Sequence, residues 1–236
     1  MDRYIFWVVF FFAYTMQGIT GFAGNIFIMP VGASTVGLST TIATVNITGF
    51  LACALIALTG LKHVAWREFL RIIIIMTTFM FVGIWLDTIL PLPILLKIFG
   101  VVVLLVGLQN LLIKRTVTLP EWLLNIVLML AGLMQGMFVS GGAFLVIYVL
   151  QKIKNKEAFR VTLSLVWTVL NAIYALFALQ AGEMTGDVAS LVVVCIPLLI
   201  VATFLGSWIE KRMSQKVFLK MTYVMLILIG ILLIFK

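Results

Sequence analysis

The sequence predicts an all-α integral membrane protein of eight hydrophobic helical segments in two four-segment repeats. The first and fifth segments are expected to be glycine-broken or re-entrant, and the topology an inverted repeat. Three observations lead there. Of 236 residues, 64% are hydrophobic and 10% charged, and mean hydropathy is +1.27, outside the range of water-soluble domains. Eight apolar stretches approach the roughly 20 residues that cross about 30 Å of hydrocarbon. The chain also repeats itself, because Met16-Gln17-Gly18 recurs as Met134-Gln135-Gly136 at an offset of 136 − 18 = 118. That offset also pairs Gly24 with Gly142 and Thr44 with Thr162, then grows to 206 − 83 = 123 and pairs Gly83 with Gly206, Trp85 with Trp208, Lys97 with Lys220 and Gly107 with Gly230. Duplicated membrane halves, each with an interrupted apolar segment at the same position, are the pattern of a transporter whose site lies between repeats.

The first segment, Tyr4 to Pro30, is interrupted by Gly18-Ile19-Thr20-Gly21-Phe22-Ala23-Gly24-Asn25. The second, Ile42 to Leu61, follows Thr41 and carries Thr44 and Thr48, three then four residues apart and so on one helix face, with Asn46 close in sequence. Phe69 to Leu90 and Ile94 to Ile113 complete the first repeat, residues 1–116, and the boundary falls near Lys114 to Leu119. The second repeat, 117–236, opens with Trp122 to Leu150, interrupted by Gly136-Met137-Phe138-Val139-Ser140-Gly141-Gly142. It continues with Ala158 to Ala181, where Ser164, Thr168 and Asn171 share a face, then Val188 to Ile209 and Val217 to Phe235. None of these runs alternates as barrel strands would, which leaves helices as the backbone solution. Polar interruptions at Gln151 to Glu157 and Glu210 to Lys216 are only loop-sized, so a single membrane domain over 1–236 is expected. The apolar run after Arg3 lacks a small-residue cleavage site and is expected to belong to the fold.

The formal charge of +8 sits in loops, as cytoplasmic edges require, and argues for no nucleic-acid partner. In the first half the basic loops are Lys62 to Arg71 and Lys114-Arg115, and the gap between segments one and two has no charge. In the second half Lys152, Lys154, Lys156 and Arg160 lie between segments five and six, Glu183 and Asp187 between six and seven, and Lys211, Arg212, Lys216 and Lys220 between seven and eight. The halves therefore prefer opposite orientations. Eight simple crossings cannot satisfy both preferences, whereas failed crossings at segments one and five can.

Glycine lets the backbone leave helical geometry, and a helix that resumes afterwards offers unpaired amides and partial positive charge to an anion. The candidate site is therefore Gln17, Gly18, Gly21, Gly24 and Asn25 in the first break and Gln135, Gly136, Ser140, Gly141 and Gly142 in the second, walled by Thr44, Asn46, Thr162 and Ser164. The plainer reading of these glycines is close helix packing. For the hydroxyls and amides it is bonding to their own helix or a neighbour. Gln17 and Gln135 stand out because both copies keep a large amide where leucine would be cheaper in a membrane. Every Asp, Glu, Lys and Arg lies in a loop or near a segment end. A buried carboxylate relay is therefore not expected, and proton coupling would fall to a segment-end acid such as Asp87 or to the substrate itself. Arg160 reads first as a positive-inside determinant, with a charge near the site entrance as the other reading. Cys53 and Cys195 read as buried packing thiols, His63 as a solvated loop residue, and no spacing suits a metal. Ser140 has no base in reach, so an intramembrane hydrolase is not favoured.

These residues resemble a known family. Gly136 to Gly142 followed by Phe144-Leu145, a short basic loop, and Ala158 to Ser164 with Thr162 and Ser164 look like the second repeat of the TauE/SafE sulfite-exporter family. Gly18, Gly21, Gly24, Pro30, Ala43 and Thr44 match its first repeat, and Gly83 and Gly206 fit the helix ends, so the resemblance spans essentially the whole chain. The chain departs from the usual triple glycine at Ser140, and at Ala23 and Asn25, which flank a single glycine. Tyr148 also stands where the first copy has Pro30. The resemblance implies a multi-pass permease of the cell inner membrane, working in a lipid bilayer, for sulfite, thiosulfate, sulfoacetate or a related small anionic substrate. No cofactor is implied, and a coupling proton or Na+ and a homodimer are left open. An anion channel and a non-transporting membrane scaffold are the alternatives.

Overall fold

The computed structural model describes residues 2–22, 24–87, 100–101, 103–105, 107–108, 111, 119–138, 141–180 and 185–234. Among them every regular element is helical. The helices are α1 (Asp2–Thr20), α2 (Gly24–Thr35), α3 (Leu38–Gly60), a 3-10 turn (Leu61–His63), α4 (Trp66–Asp87), α5 (Glu121–Phe138), α6 (Gly142–Lys152), α7 (Lys156–Gln180), α8 (Gly186–Arg212) and α9 (Gln215–Ile234). Five stretches are long and apolar enough to cross a membrane: Thr40–His63, Trp66–Leu86, Lys156–Leu176, Val188–Arg212 and Gln215–Leu232. The expected segment Ile94 to Ile113 lies largely outside the described residues, and those described between 100 and 111 are helical.

The stretch expected as segment one is two helices, with Gly21 between them at φ 83°. Left-handed backbone of this kind is readily available only to glycine. In the second repeat, α5 ends at Phe138 and α6 begins at Gly142. Ala23, Val139 and Ser140 lie outside the described residues.

Two compact units divide the chain: residues 1–64 with 160–213, and residues 65–159 with 214–236. Each unit draws on both halves of the sequence. In the first unit Phe6, Phe10 and Tyr14 step along one face of α1, with ring centroids 6.0 and 4.5 Å apart. They bury against Ile28 of α2, Val45 and Ala52 of α3, and Cys195, Leu199 and Ala202 of α8. α1 meets α8 where Gly18 faces Thr203 and Gly206, so closely that a Cβ on Gly18 would lie 2.7 Å from the Thr203 carbonyl oxygen. In the second unit α4 meets α5 the same way, and a Cβ on Gly83 would strike the Leu133 carbonyl and one on Gly136 the Met80 carbonyl. These contacts fall at the offsets at which the sequence recurs, since 136 − 18 = 118, 206 − 83 = 123 and 203 − 80 = 123. Small residues that let helix backbones touch are the usual membrane solution where no hydrophobic force separates protein from lipid.

A polar edge closes one end of the second unit. Glu121, the first residue of α5, pairs with Lys152, the last of α6, and with Arg71 of α4 at 3.1 Å. Arg71 also donates to Asn125 Oδ1 at 2.6 Å, and Tyr148 donates to Glu68 Oε2 at 2.5 Å. The outer ends of α5 and α6 thus lie together, so the pair is a hairpin. The loop before α7 joins this edge. Gln215 accepts from the Lys156 amide at 2.9 Å and donates to the Lys154 carbonyl at 2.7 Å.

Candidate functional site

Each glutamine singled out by the repeat bridges its own break. Gln17 Oε1 accepts the Gly24 amide at 2.8 Å, and Gln17 Nε2 donates to Cys53 Sγ at 3.0 Å. Gln135 Oε1 accepts the Gly141 amide at 3.1 Å. A helix that begins inside the protein has amides with no intrahelical partner, and in both breaks a glutamine one turn or more upstream satisfies one of them. Both amide ends of Gln17 are therefore engaged in holding the break closed, and Cys53 takes part as an acceptor.

The hydroxyls divide into two groups. Thr41 donates to the Gly37 carbonyl at 2.7 Å, Thr48 to the Thr44 carbonyl at 2.7 Å and Thr168 to the Ser164 carbonyl at 2.8 Å, the ordinary back-bonding of hydroxyls within helices. Tyr14 adds a hydrogen bond to Thr48. Thr44 Oγ1 and Ser164 Oγ, in contrast, are fully buried with no hydrogen-bond partner, as are Asn25 Oδ1 and Asn46 Oδ1. Buried polar atoms are satisfied in the large majority of cases, so four such atoms in one unit call for an explanation.

Two places gather these groups. A Cβ on Gly21 would lie 2.7 Å from the Arg160 carbonyl and 3.0 Å from Ser164 Oγ, which sets Ser164 against the left-handed turn. One on Gly49 would lie 3.4 Å from both Asn171 Nδ2 and Asn25 Oδ1, so those two amides flank the middle of α3. Asn46 and Cys53 share that side of α3 with Gly49. Thr44 lies about 200° around the helix from Asn46, on the face that carries Thr41 and Thr48. Likewise Thr162, buried, lies about 200° from Ser164 on the far side of α7. The residues paired in sequence as walls of one cavity thus point to opposite sides of their helices. Gly18 and Gly136 are helix-contact glycines, Gly141 touches Ala131 and Gln135, and Gly142 opens α6.

Sequence reasoning missed two features. Trp167 buries its indole Nε1 without a partner, and with Arg160, Ser164 and Asn171 it follows a four-three-four spacing that makes a single stripe along α7. That spacing was the available signal. The second is Arg160 itself, expected mainly as a loop-edge charge. It is 4% exposed and forms an ion pair with Glu210 of α8 at 3.1 Å, while donating to Ser207 Oγ at 2.6 Å. Being buried, it is more than an exposed topology signal. Among the described residues no cluster of His, Cys, Asp and Glu has the makings of a metal site.

Long apolar helices packed about buried polar groups define an integral membrane protein that crosses the bilayer several times. The model described as sulfite exporter TauE/SafE matches residues 6–233, and the chain belongs to that family. It is accordingly a multi-pass membrane transporter. No curated protein and no solved structure matches the chain.

Proposed function

We propose that the protein is a permease for a small anion, a sulfur oxyanion or organosulfonate such as sulfite, thiosulfate or sulfoacetate, that works by alternating access. Eight segments in inverted repeats carry it, with α1–α2 and α5–α6 as re-entrant pairs. The meeting of Glu121 with Lys152 at the outer ends of α5 and α6 supports that topology, as do the repeat-related glycine contacts. In the first unit the start of α2 at Asn25 serves as an anion donor, with Ser164 adding a hydroxyl and Asn46 a further polar group; the start of α6 at Ala143 is its counterpart in the second repeat.

The observation that carries this reading is the fully buried, partnerless Ser164 hydroxyl against the left-handed Gly21. A hydroxyl kept there without a partner stands ready for one that arrives from outside. Counterflow of labelled sulfite, thiosulfate and sulfoacetate in vesicles containing the purified protein tests it. Accumulation of label against a trapped pool of the same anion is expected. Conductance without counterflow would make the protein a channel, and movement of none of the panel would favour a scaffold.

A further inference from the structure

We propose that Trp167 is a further solute-binding residue, whose indole N–H is a second donor set along α7 from the Ser164 hydroxyl, and that the pair selects an anion with acceptor groups at both ends over a compact one. The inference rests on the anion-permease reading above and names a donor of that site and the shape of solute it prefers.

Tryptophan in membrane helices collects at the two interfaces, where the polar end of the ring can stay wet. Five of the six tryptophans follow that rule. Trp7, Trp66, Trp85, Trp122 and Trp208 lie within five residues of a helix end, and the last four are more than half exposed. Trp167 departs from it. It stands at the middle of the apolar stretch Lys156–Leu176, the depth at which transporter sites are found, and its indole Nε1 is buried with no hydrogen-bond partner. Phenylalanine would bring similar aromatic packing there without a donor to desolvate.

Ser164, one turn earlier, is set in the same way. Hydroxyls in helices ordinarily donate to the carbonyl four residues back, as Thr168 does to Ser164. The Ser164 hydroxyl instead lies against Gly21, buried and without a partner. From Ser164, Trp167 and Asn171 lie about 60° and about 20° around the helix and about 4.5 and 10.5 Å along it. Asn171 Nδ2 in turn flanks Gly49 together with Asn25 Oδ1, from the first turn of α2. Both ends of the stripe therefore reach the break between α1 and α2, Ser164 at the left-handed turn and Asn171 where Asn25 meets α3, and Trp167 is set between them.

An indole N–H donates and does not accept, so the group left open at Trp167 calls for an acceptor. An anion supplies one, and a bare cation does not. The spacing narrows the choice of anion. Two donors a turn apart are met together by a solute with acceptor groups at each end, as in sulfoacetate, whereas the oxygens of sulfite share one sulfur and engage one donor at a time.

Trp167→Phe in the full-length protein tests the inference, because it keeps a ring and removes the N–H. Half-saturation for sulfoacetate, read from thermal stabilisation in detergent and from uptake into vesicles, is expected to worsen by about tenfold. Half-saturation for sulfite should worsen by a smaller factor, so the preference for sulfoacetate over sulfite falls. The melting temperature without ligand is expected to hold or rise slightly, since a partnerless donor has been removed from the interior. In the wild type, saturating sulfoacetate is expected to change the tryptophan emission, and the change should be missing from Trp167→Phe. An unaltered sulfoacetate-to-sulfite preference in the variant, emission unmoved in the wild type, or a wild type that binds sulfite alone overturns the inference and leaves the permease reading standing. A wild type that binds neither anion defeats both.

Discussion

Ser164 and Gly21 show how a single residue separates folding from function. A partnerless buried hydroxyl costs the fold the desolvation of a polar group, about 1 to 3 kcal/mol, whereas a hydrogen bond to a charged ligand contributes about 1.5 to 3 kcal/mol. Ser164→Ala is therefore expected to leave the melting temperature unchanged or slightly raised, while half-saturation for the anion worsens by about tenfold. Reduced stability with unaltered transport kinetics would show that Ser164 serves packing alone. Gly21→Ala acts in the opposite sense. Its left-handed backbone costs an L-residue about 1 to 2 kcal/mol, and the new methyl would meet the Arg160 carbonyl at 2.7 Å. A lowered melting temperature and lost uptake are expected together.

At the scale of elements, the recurrence of glycine and glutamine at fixed offsets was legible in the chain. The sequence placed Gly18 and Gly136 in the candidate site, with helix packing as the plainer alternative, and the structure shows both, with Gly206, at helix contacts. The break after Thr20 was legible for the same reason, but what holds it was not. Gln17 reaches seven residues forward to Gly24 and across to Cys53 on α3, and only the second of these contacts depends on tertiary packing that no sequence spacing encodes. The Arg160–Glu210 pair was illegible in the same way, because its members are 50 residues apart and each lies near a helix end, where exposure is the ordinary outcome. Grouping Thr44 with Asn46 and Thr162 with Ser164 failed on helical geometry, since two residues apart means opposite faces. The bridging glutamines make a prediction at this scale. Gln17→Leu and Gln135→Leu each strand a buried backbone amide, a loss of about 1 to 3 kcal/mol, and each should lower the melting temperature in detergent while the protein still inserts. If neither variant melts earlier, the glutamines do not hold the breaks.

For the molecule as a whole, the re-entrant topology is tested by whether Lys62 and Lys154 lie on the same side of the bilayer. Were α1–α2 and α5–α6 simple crossings, the chain would cross eight times and put those two loops on opposite sides, against the preference of basic loops for the cytoplasm. If each pair instead enters and leaves on one side, Lys62, Lys154 and Lys216 are all cytoplasmic, and Ser34 and Thr185 face outward. The gathering of Arg71, Glu121, Lys152, Lys154 and Gln215 along one edge of the second unit supports the latter. All five test positions are exposed, and the two native cysteines are buried and free. Single cysteines can therefore be placed at each in a Cys53→Ala/Cys195→Ala background and probed in intact cells with a membrane-impermeant maleimide. Ser34 and Thr185 should react at once, and Lys62, Lys154 and Lys216 only after the membrane is opened. Reaction of the Lys154 position in intact cells while the Lys62 position stays protected would defeat the re-entrant pairs.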